Sequence, residues 1–483
     1  MIDLNKILTL DHRLNIAVAY SNANDRRLAI QVLESALDLA PNDLRVLCNL
    51  ATLHHAEGAI VSAREYVRRA LALDPECATA WEAKAKIFQS MGNYEAAIGM
   101  FKDSLRITPS ANVYNNLAMA QRLIGDTEGS MDSYNRAVAM DQGNLELRFY
   151  RSMDMLLGAF TQVNATGKVS GTLAADALNE YELRFAHSKP ICPLPANGKP
   201  LWAGMAGCDD LNRRVLICAE QGLGDCVMML RFAARMEYGG DILLFIAPTH
   251  WHPIIKMAKS VDGGRVFDDD RIFAPDAKLP DYDCHISMMS LMRAAAFDTI
   301  IPEHPPYLAP MKFDQDVFSG ATFFPSRKFK IGLCWQGSRA HGNDQHRSIG
   351  LDRFMVEISA LRDDNTEFYS LQQADETQWA PGWVNRCAIE DTGRLAHTIN
   401  AMDLIITVDS APLHIAGALG KAVLALLASN PDWRWGATGG ITHLYPTATL
   451  FRASMPKEWR EPLQRVVAAA QKLRNYALEE RKK

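Results

Sequence analysis

The sequence predicts an α + α/β protein: a helical repeat array at the N-terminus followed by two parallel-sheet α/β domains. Three observations predict it. Proline recurs every 34 residues near the front of the chain, at positions 41, 75 and 109. From about residue 213, short apolar runs alternate with amphipathic stretches. The chain has 483 residues, too many for one core when a domain takes roughly 100–200.

The repeat comes first. Segments ALDLAPND, ALALDPEC and SLRITPSA align on their prolines, and a fourth copy, AVAMDQGN, carries Gln142 in that place. Small residues stay in phase: Ala29, Ala63 and Ala97 precede the three prolines by the same interval. Ala36, Ala70, Ser104 and Ala137 form a second small set, and Gly58, Gly92 and Gly125 a set of turns. This pattern resembles the tetratricopeptide repeat over roughly residues 10–143, in units of two antiparallel helices. Small residues let helices approach closely, and proline ends the second helix of each unit. Trp81, Phe88 and Tyr94 fit the large apolar slots, whereas His54 and Gln121 depart from them. Such arrays bind peptide or protein segments in a concave groove, for which Tyr20, Asn49, Asn115 and Asn116 are candidates, with core or plain surface as the alternative for each. A helix over 145–160 is expected to cap the array.

Residues 161–212 include HSKPICPLPANGKPLWAG, rich in proline and glycine, and read as an extended linker. Predicted strands follow at 214–220, 241–247, 282–287, 329–336, 367–372, 386–391, 403–409 and 422–428. Their alternation with helices predicts two Rossmann-like doubly wound domains, separated by the proline-rich IPEHPPYLAPMKF. The expected boundaries are 1–160 for the repeats, 161–212 for the linker, 213–325 for the first α/β domain and 326–483 for the second. A long last helix, from WREPLQ onward, is expected to brace the pair.

Composition narrows the function. A formal charge of −5 gives no electrostatic reason to expect nucleic acid. The start MIDLNKILTLDHR lacks the pattern of a secretory signal. The apolar stretch 401–428 contains Asp403, Asp409, His414 and Lys421 and is costly to place in a bilayer. Nine scattered cysteines with no CxxC pair point to a reducing, cytoplasmic setting without a zinc site. The acidic runs DYD and DDD read as a strand start and a solvated turn, not as metal sites.

Two glycine-bearing turns carry the chemistry. EQGLGD (Glu220, Gln221, Gly222, Gly224, Asp225) follows a strand and opens a helix, which gathers N–H donors at one point. A dinucleotide fingerprint needs a third glycine where Val227 stands, and Asp225 would repel a phosphate, so a nicotinamide enzyme is disfavoured. In the second domain, WQGSRAHGNDQHRSI gathers Arg339, His341, His346, Arg347 and Ser348 after a strand. DLIITVDSAPLHIAGALGK is strand, acidic turn and helix, with Ser410 or Asp409 as cap and Pro412 in the first turn. Guanidinium groups and helix N–H groups are suitable donors for a diphosphate leaving group.

These motifs, with NPDWRW, resemble the bacterial heptosyltransferase-like glycosyltransferases, in the branch fused to tetratricopeptide repeats that includes flagellin glycosyltransferases. The resemblance covers most of residues 200–455. It implies the two-Rossmann GT-B fold, a nucleotide-sugar co-substrate, no resident cofactor or metal, and inversion at the sugar. It places Asp225 as the catalytic acid/base and Glu220, Gln221, Gly222 and Gly224 around it on the acceptor side. It places Trp335, Gln336, Gly337, Arg339, His346, Arg347 and Ser348 on the donor, Arg347 at the diphosphate. Asp409, Ser410, Ala411, Pro412, Leu413 and His414 fall on the donor loop, where Ala411 replaces the usual glycine. Trp433 and Trp435 match the tandem-tryptophan stretch. The partner implied is a protein acceptor, modified on Ser or Thr and recruited through the repeat groove. Asp225 has two readings: a base for the acceptor hydroxyl, worth roughly 10²–10⁴-fold in rate, or a helix cap worth about 0.5–2 kcal/mol. An adaptor with an inert cleft is the alternative for the whole chain.

Overall fold

The structure is a computed structural model. It describes residues 8–167, 171–186, 192–195, 197–202, 204, 213–238, 241–259, 263–294, 306–309, 327–339, 341–372, 380–387 and 389–483. The chain divides into two compact units, Met1–Arg151 and Ser152–Lys483.

The first unit stacks helical hairpins: α1 (Leu10–Asn22) with α2 (Arg26–Leu39), α3 (Leu44–Ala56) with α4 (Ile60–Leu73), α5 (Ala78–Ser90) with α6 (Tyr94–Ile107), and α7 (Ala111–Leu123) with α8 (Thr127–Met140). The in-phase small residues sit where these helices meet. Ala29, Ala36, Ala63, Ala70, Ala97 and Ala137 are fully buried, and Ser104 donates its hydroxyl to the Ala78 carbonyl at 2.9 Å. Gly58, Gly92 and Gly125 turn the chain at φ of 77°, 80° and 82°. In the first hairpin Asn24 takes that place at φ 61°; asparagine is among the few residues other than glycine that tolerate it. The next residue caps the second helix in three of the four hairpins: Asp25 accepts from Leu28 N–H, Asn93 from Ala96 N–H and Asp126 from Gly129 N–H.

The two departures from the repeat pattern are accommodated by local partners. Buried Gln121 donates to Asp126 Oδ2 at 3.1 Å and accepts from the Ser133 hydroxyl at 2.7 Å. His54 stacks on Tyr66, ring centroids 5.4 Å apart. Of the groove candidates, Tyr20 and Asn49 are exposed, Asn115 approaches Met119 and Asn116 donates to Glu82.

Helix α9 (Leu145–Thr166) contains the boundary between the units, and α10 (Gly171–Tyr181) lies wholly in the second. This differs from the expected extended linker. The start of that stretch, TQVNAT, is helical, and α10 and a 3-10 turn at Glu182–Ala186 continue it. Parts of 187–212 and of the proline-rich segment at 301–313 lie outside the described residues.

The first α/β half contains β1 (Arg214–Cys218), α11 (Leu223–Tyr238), β2 (Ile242–Ile246), α12 (His252–Ile255), β3 (Ile272–Phe273), β4 (Cys284–Ser287) and α13 (Leu291–Ala294). Its parallel sheet has the order β3-β2-β1-β4. The second half contains β5 (Phe329–Cys334), α14 (Asp344–Arg347), α15 (Leu351–Ile358), β6 (Thr366–Ser370), β7 (Val384–Arg386), α16 (Thr392–Asn400), β8 (Leu404–Val408), α17 (Ala411–Ala418), β9 (Val423–Leu427), β10 (Ala448–Arg452) and α18 (Arg460–Glu480). Its parallel sheet runs β10-β9-β8-β5-β6-β7. Counted from β5, that is the doubly wound order, which reverses between β5 and β8 and leaves a crevice beyond their carboxyl ends. β8 and β9 are buried at every residue, as a strand covered on both faces must be.

One predicted strand shifts and two strands were not foreseen. The strand expected at 386–391 lies at β7 instead, because Asp391 caps α16 by accepting from Arg394 N–H. The short strands β3 and β10 carried too weak an apolar pattern to be read. Helix α18 packs on α15 and the second sheet through Leu463, Val466 and Ala470, so it braces that half.

Candidate active site

The second residue of the EQGLGD turn is under strain. Gln221 stands at φ 58°, and its amide donates to the Tyr181 hydroxyl at 2.7 Å. Gly222 then leads into α11, with Asp225 in the first turn. Asp225 Oδ2 accepts the Gly222 N–H at 2.9 Å, the backward half of a capping box. The cap reading of Asp225 therefore holds for one oxygen. The other, Oδ1, is paired with Arg434 of the second half. Glu220 lies beneath the turn, only 3% exposed, and is gripped by Arg184 through Nε at 2.6 Å and Nη2 at 3.1 Å. Burial pushes the Glu220 carboxyl up and Arg184 pulls it back. Glu220 thus anchors the turn from below.

The two α/β halves meet closely at this turn. Helices α11 and α17 pack together, and a Cβ on Gly224 would lie 2.7 Å from His414 Cδ2. Arg231 of α11 donates to the Leu444 carbonyl at 3.0 Å and to the Tyr307 hydroxyl at 3.1 Å. His414 Nδ1 is 2.9 Å from the Tyr445 hydroxyl. Burial, with Arg434, Arg231 and Arg347 nearby, holds His414 well below its usual range, so the ring is neutral. His414 is therefore part of the joint between the halves.

On the second half, α14 sets Arg347 over Gly337. A Cβ there would meet Arg347 Nη2 at 2.7 Å. Gly337 N–H donates to the Ser348 hydroxyl at 2.9 Å, which donates to Asp344 Oδ1 at 2.7 Å. Gln336 exchanges two hydrogen bonds with the Gln372 amide, at 3.1 and 3.0 Å. His346 is half-buried, with burial and Lys457 lowering its pKa. Arg339 is exposed on the same loop.

Asp409 ends β8. Burial lifts its carboxyl from 3.8 to about 6; Asp432 adds to the effect, while Arg434 and Arg347 oppose it. Arg434 sits between Trp433 and Trp435 and is 7% exposed. Burial disfavours its charge, but Asp225, Asp432 and Asp409 outweigh that and hold the guanidinium above its ordinary range. Arg434 Nε and Arg347 Nε are both buried donors without a hydrogen-bond partner. Three carboxylates and two guanidiniums thus gather at one place, with the turn of the first half supplying Asp225.

Several expected donor residues play other parts. Trp335 turns its ring into the core beside Phe354, centroids 6.0 Å apart, and is 1% exposed. Pro412 and Leu413 are buried in α17, while Ala411 is half-buried at its start. Neither Ser410 nor Asp409 caps α17: Ser410 occupies the cap position but donates back to the Val408 carbonyl at 3.2 Å. Asp409 Oδ1 is 4.0 Å from His414 Nε2.

Sequence reading missed Arg434, Asp432, Gln372 and Arg184. An arginine between two tryptophans was the available signal, since a charge in so apolar a triplet needs partners. The tryptophans themselves pack the support. Trp433 meets Phe160 and Tyr181 edge-on, and the Trp435 carbonyl accepts from Asn164 at 2.9 Å.

Residues 22–87 and 82–144 match tetratricopeptide repeat families, and residues 384–473 match glycosyltransferase family 9 (heptosyltransferase). The chain thus carries tetratricopeptide repeats at its front and, in its second α/β half, a segment similar to the heptosyltransferase family of glycosyltransferases. It is similar to Protein FlbA of Caulobacter vibrioides, 23% identical over 90% of this chain and 74% of that protein. It is also similar to mouse sperm-associated antigen 1, 27% identical over 22% of this chain and 13% of that protein. Similar solved structures include a thermophilic TPR protein of Thermus thermophilus, 19% identical, covering 37% of this chain and 96% of that one with a TM-score of 0.31. Pseudomonas aeruginosa pilF is 15% identical, covering 37% and 77%, with a TM-score of 0.32.

Proposed function

We propose that the second unit transfers a sugar from a nucleotide-sugar donor to a Ser or Thr hydroxyl of a protein acceptor recruited by the repeats. Asp225 takes the proton of the acceptor hydroxyl as its oxygen attacks the anomeric carbon. The nucleotide leaves from the opposite face, so the sugar centre inverts. Arg347 and Arg434 meet the charge on the departing phosphate, a role a divalent cation would otherwise fill. A flagellar or other surface protein is the acceptor class we assign, on the resemblance to repeat-fused flagellin glycosyltransferases, with the reaction in the cytoplasm. Among the described residues no helix is long and apolar enough to cross a membrane.

The observation that carries this reading is the meeting of Asp225, from the first half, with Arg434 of the second, in a cluster that includes Asp409. Thermal-shift screening against nucleoside diphosphates and cytidine monophosphate identifies the donor class, because a ligand raises stability with its affinity. With that donor and acceptor, Asp225→Asn should lower transfer by roughly 10²–10⁴-fold. The Asn oxygen can still accept the Gly222 N–H, so the fold should persist. Undiminished transfer by a normally folded Asp225→Asn protein removes the assignment.

A further inference from the structure

We infer that Arg434 is a positioning residue that passes from Asp225 to the donor phosphate, so that the base is freed for the acceptor only once the donor is bound. This rests on the transferase reading of the cleft.

Both oxygens of Asp225 are engaged. Oδ2 takes the Gly222 N–H, and Oδ1 takes Arg434 across the joint between the halves. An acceptor hydroxyl must deliver its proton to an oxygen with a free lone pair directed at it. The Gly222 contact is fixed by the helix turn. The Arg434 contact belongs to a side chain from another element and is the one that can change.

Arg434 is also built to take a second anion. Its Nε is 3.4 Å from Asp432 Oδ1, too poorly aligned to hydrogen-bond it, and is left as a buried donor without a partner. Buried donors in folded proteins are rarely left so. Arg347, the other guanidinium of the cluster, likewise has a buried Nε–H without a hydrogen-bond partner, 3.5 Å from Asp344 Oδ1. A phosphate accepts from guanidinium in a planar, two-point manner that a single carboxylate oxygen does not exhaust. Asp432 steadies Arg434 from its own turn, its Oδ1 accepting the Arg434 N–H at 3.2 Å, so the arginine need not lose its place as its outer contact changes. The sequence of events is donor first, acceptor second: phosphate draws Arg434, Asp225 Oδ1 is released, and the acceptor hydroxyl takes the vacated lone pair.

A double-mutant cycle on nucleotide affinity tests this, using the full chain and calorimetric titration with nucleoside diphosphates, cytidine monophosphate and inorganic pyrophosphate. Asp225→Asn removes the competitor for Arg434 and should tighten binding by about tenfold, or about 1.4 kcal/mol. Arg434→Gln should weaken it. The double variant should bind like Arg434→Gln alone, because the gain requires the guanidinium. A merely structural Arg434 leaves Asp225→Asn binding unchanged, which overturns the inference. An equal gain in the Arg434→Gln background also overturns it, since the effect is then only the loss of a negative charge near an anion. If Arg434→Gln does not fold, Arg434→Lys carries the cycle. Its point charge cannot be shared in the same plane, so the gain from Asp225→Asn should shrink; an unchanged gain counts against the exchange. A wild-type protein that binds none of these probes sinks the transferase reading itself, whereas binding without coupling sinks only the exchange.

Discussion

Gly224→Ala tests the joint on which the site depends. The new methyl would stand 2.7 Å from His414 Cδ2, 3.3 Å from Nε2 and 3.5 Å from Cγ. Carbon atoms pack comfortably at roughly 3.5–4.0 Å, so the first contact overlaps badly, the second is tight and the third is ordinary. His414 cannot retreat easily. It is 2% exposed, hydrogen-bonded to Tyr445 at 2.9 Å, and tilted against Trp435 with centroids 5.2 Å apart. Overpacking of this kind costs about 1–3 kcal/mol. Alanine in a helix recovers about 1 kcal/mol over glycine, leaving a net loss of up to about 2 kcal/mol. For a unit this large that is a fall of a few degrees in Tm, of the order of about 2–4 °C per kcal/mol or less. Scanning calorimetry reads it, with Gly99→Ala as control, because a Cβ at Gly99 meets nothing within 4 Å. A Gly224→Ala protein as stable as wild type, with unaltered nucleotide affinity, would refute the claim that this contact sets the spacing of the halves.

Gly337→Ala should behave differently. Its Cβ meets Arg347 at 2.7–2.9 Å, but only the mobile end of that side chain. Stability should stay within about 0.5 kcal/mol, while displacement of the guanidinium weakens nucleotide binding by roughly tenfold in a titration. Asp409 predicts a pH effect. Its folded pKa of about 6 lies above the ordinary 3.8, so the native state holds the extra proton and stability falls as pH rises between these values. That contribution is about 3 kcal/mol at most, and Asp409→Asn should flatten the curve in denaturant melts taken from about pH 4 to pH 6. Arg184→Gln leaves Glu220 buried without its cation and should cost about 3–5 kcal/mol in a denaturation midpoint; an unaffected midpoint shows that the pair is dispensable.

The sequence by itself determined what is local and periodic. The 34-residue spacing, the small residues in phase and the turn glycines dictate helical hairpins, because each acts on its own or an adjoining helix. The buried strands β1, β2, β5, β8 and β9 are legible as short apolar runs, and their alternation with helices implies parallel sheets. Asp225 and Arg347 stand out because an acid and a guanidinium follow strands in glycine-bearing turns. Tertiary structure decided what depends on distant pairs. Asp225 and Arg434 are 209 residues apart, and Asn164 and Trp435 are 271 apart. No periodicity announces such meetings. The same holds for the affiliation of α10, for the inward turn of Trp335 and for the place of His414 in the joint. Each is settled by which surfaces close on one another, since a buried charge or amide finds its partner only when the chain has folded around it.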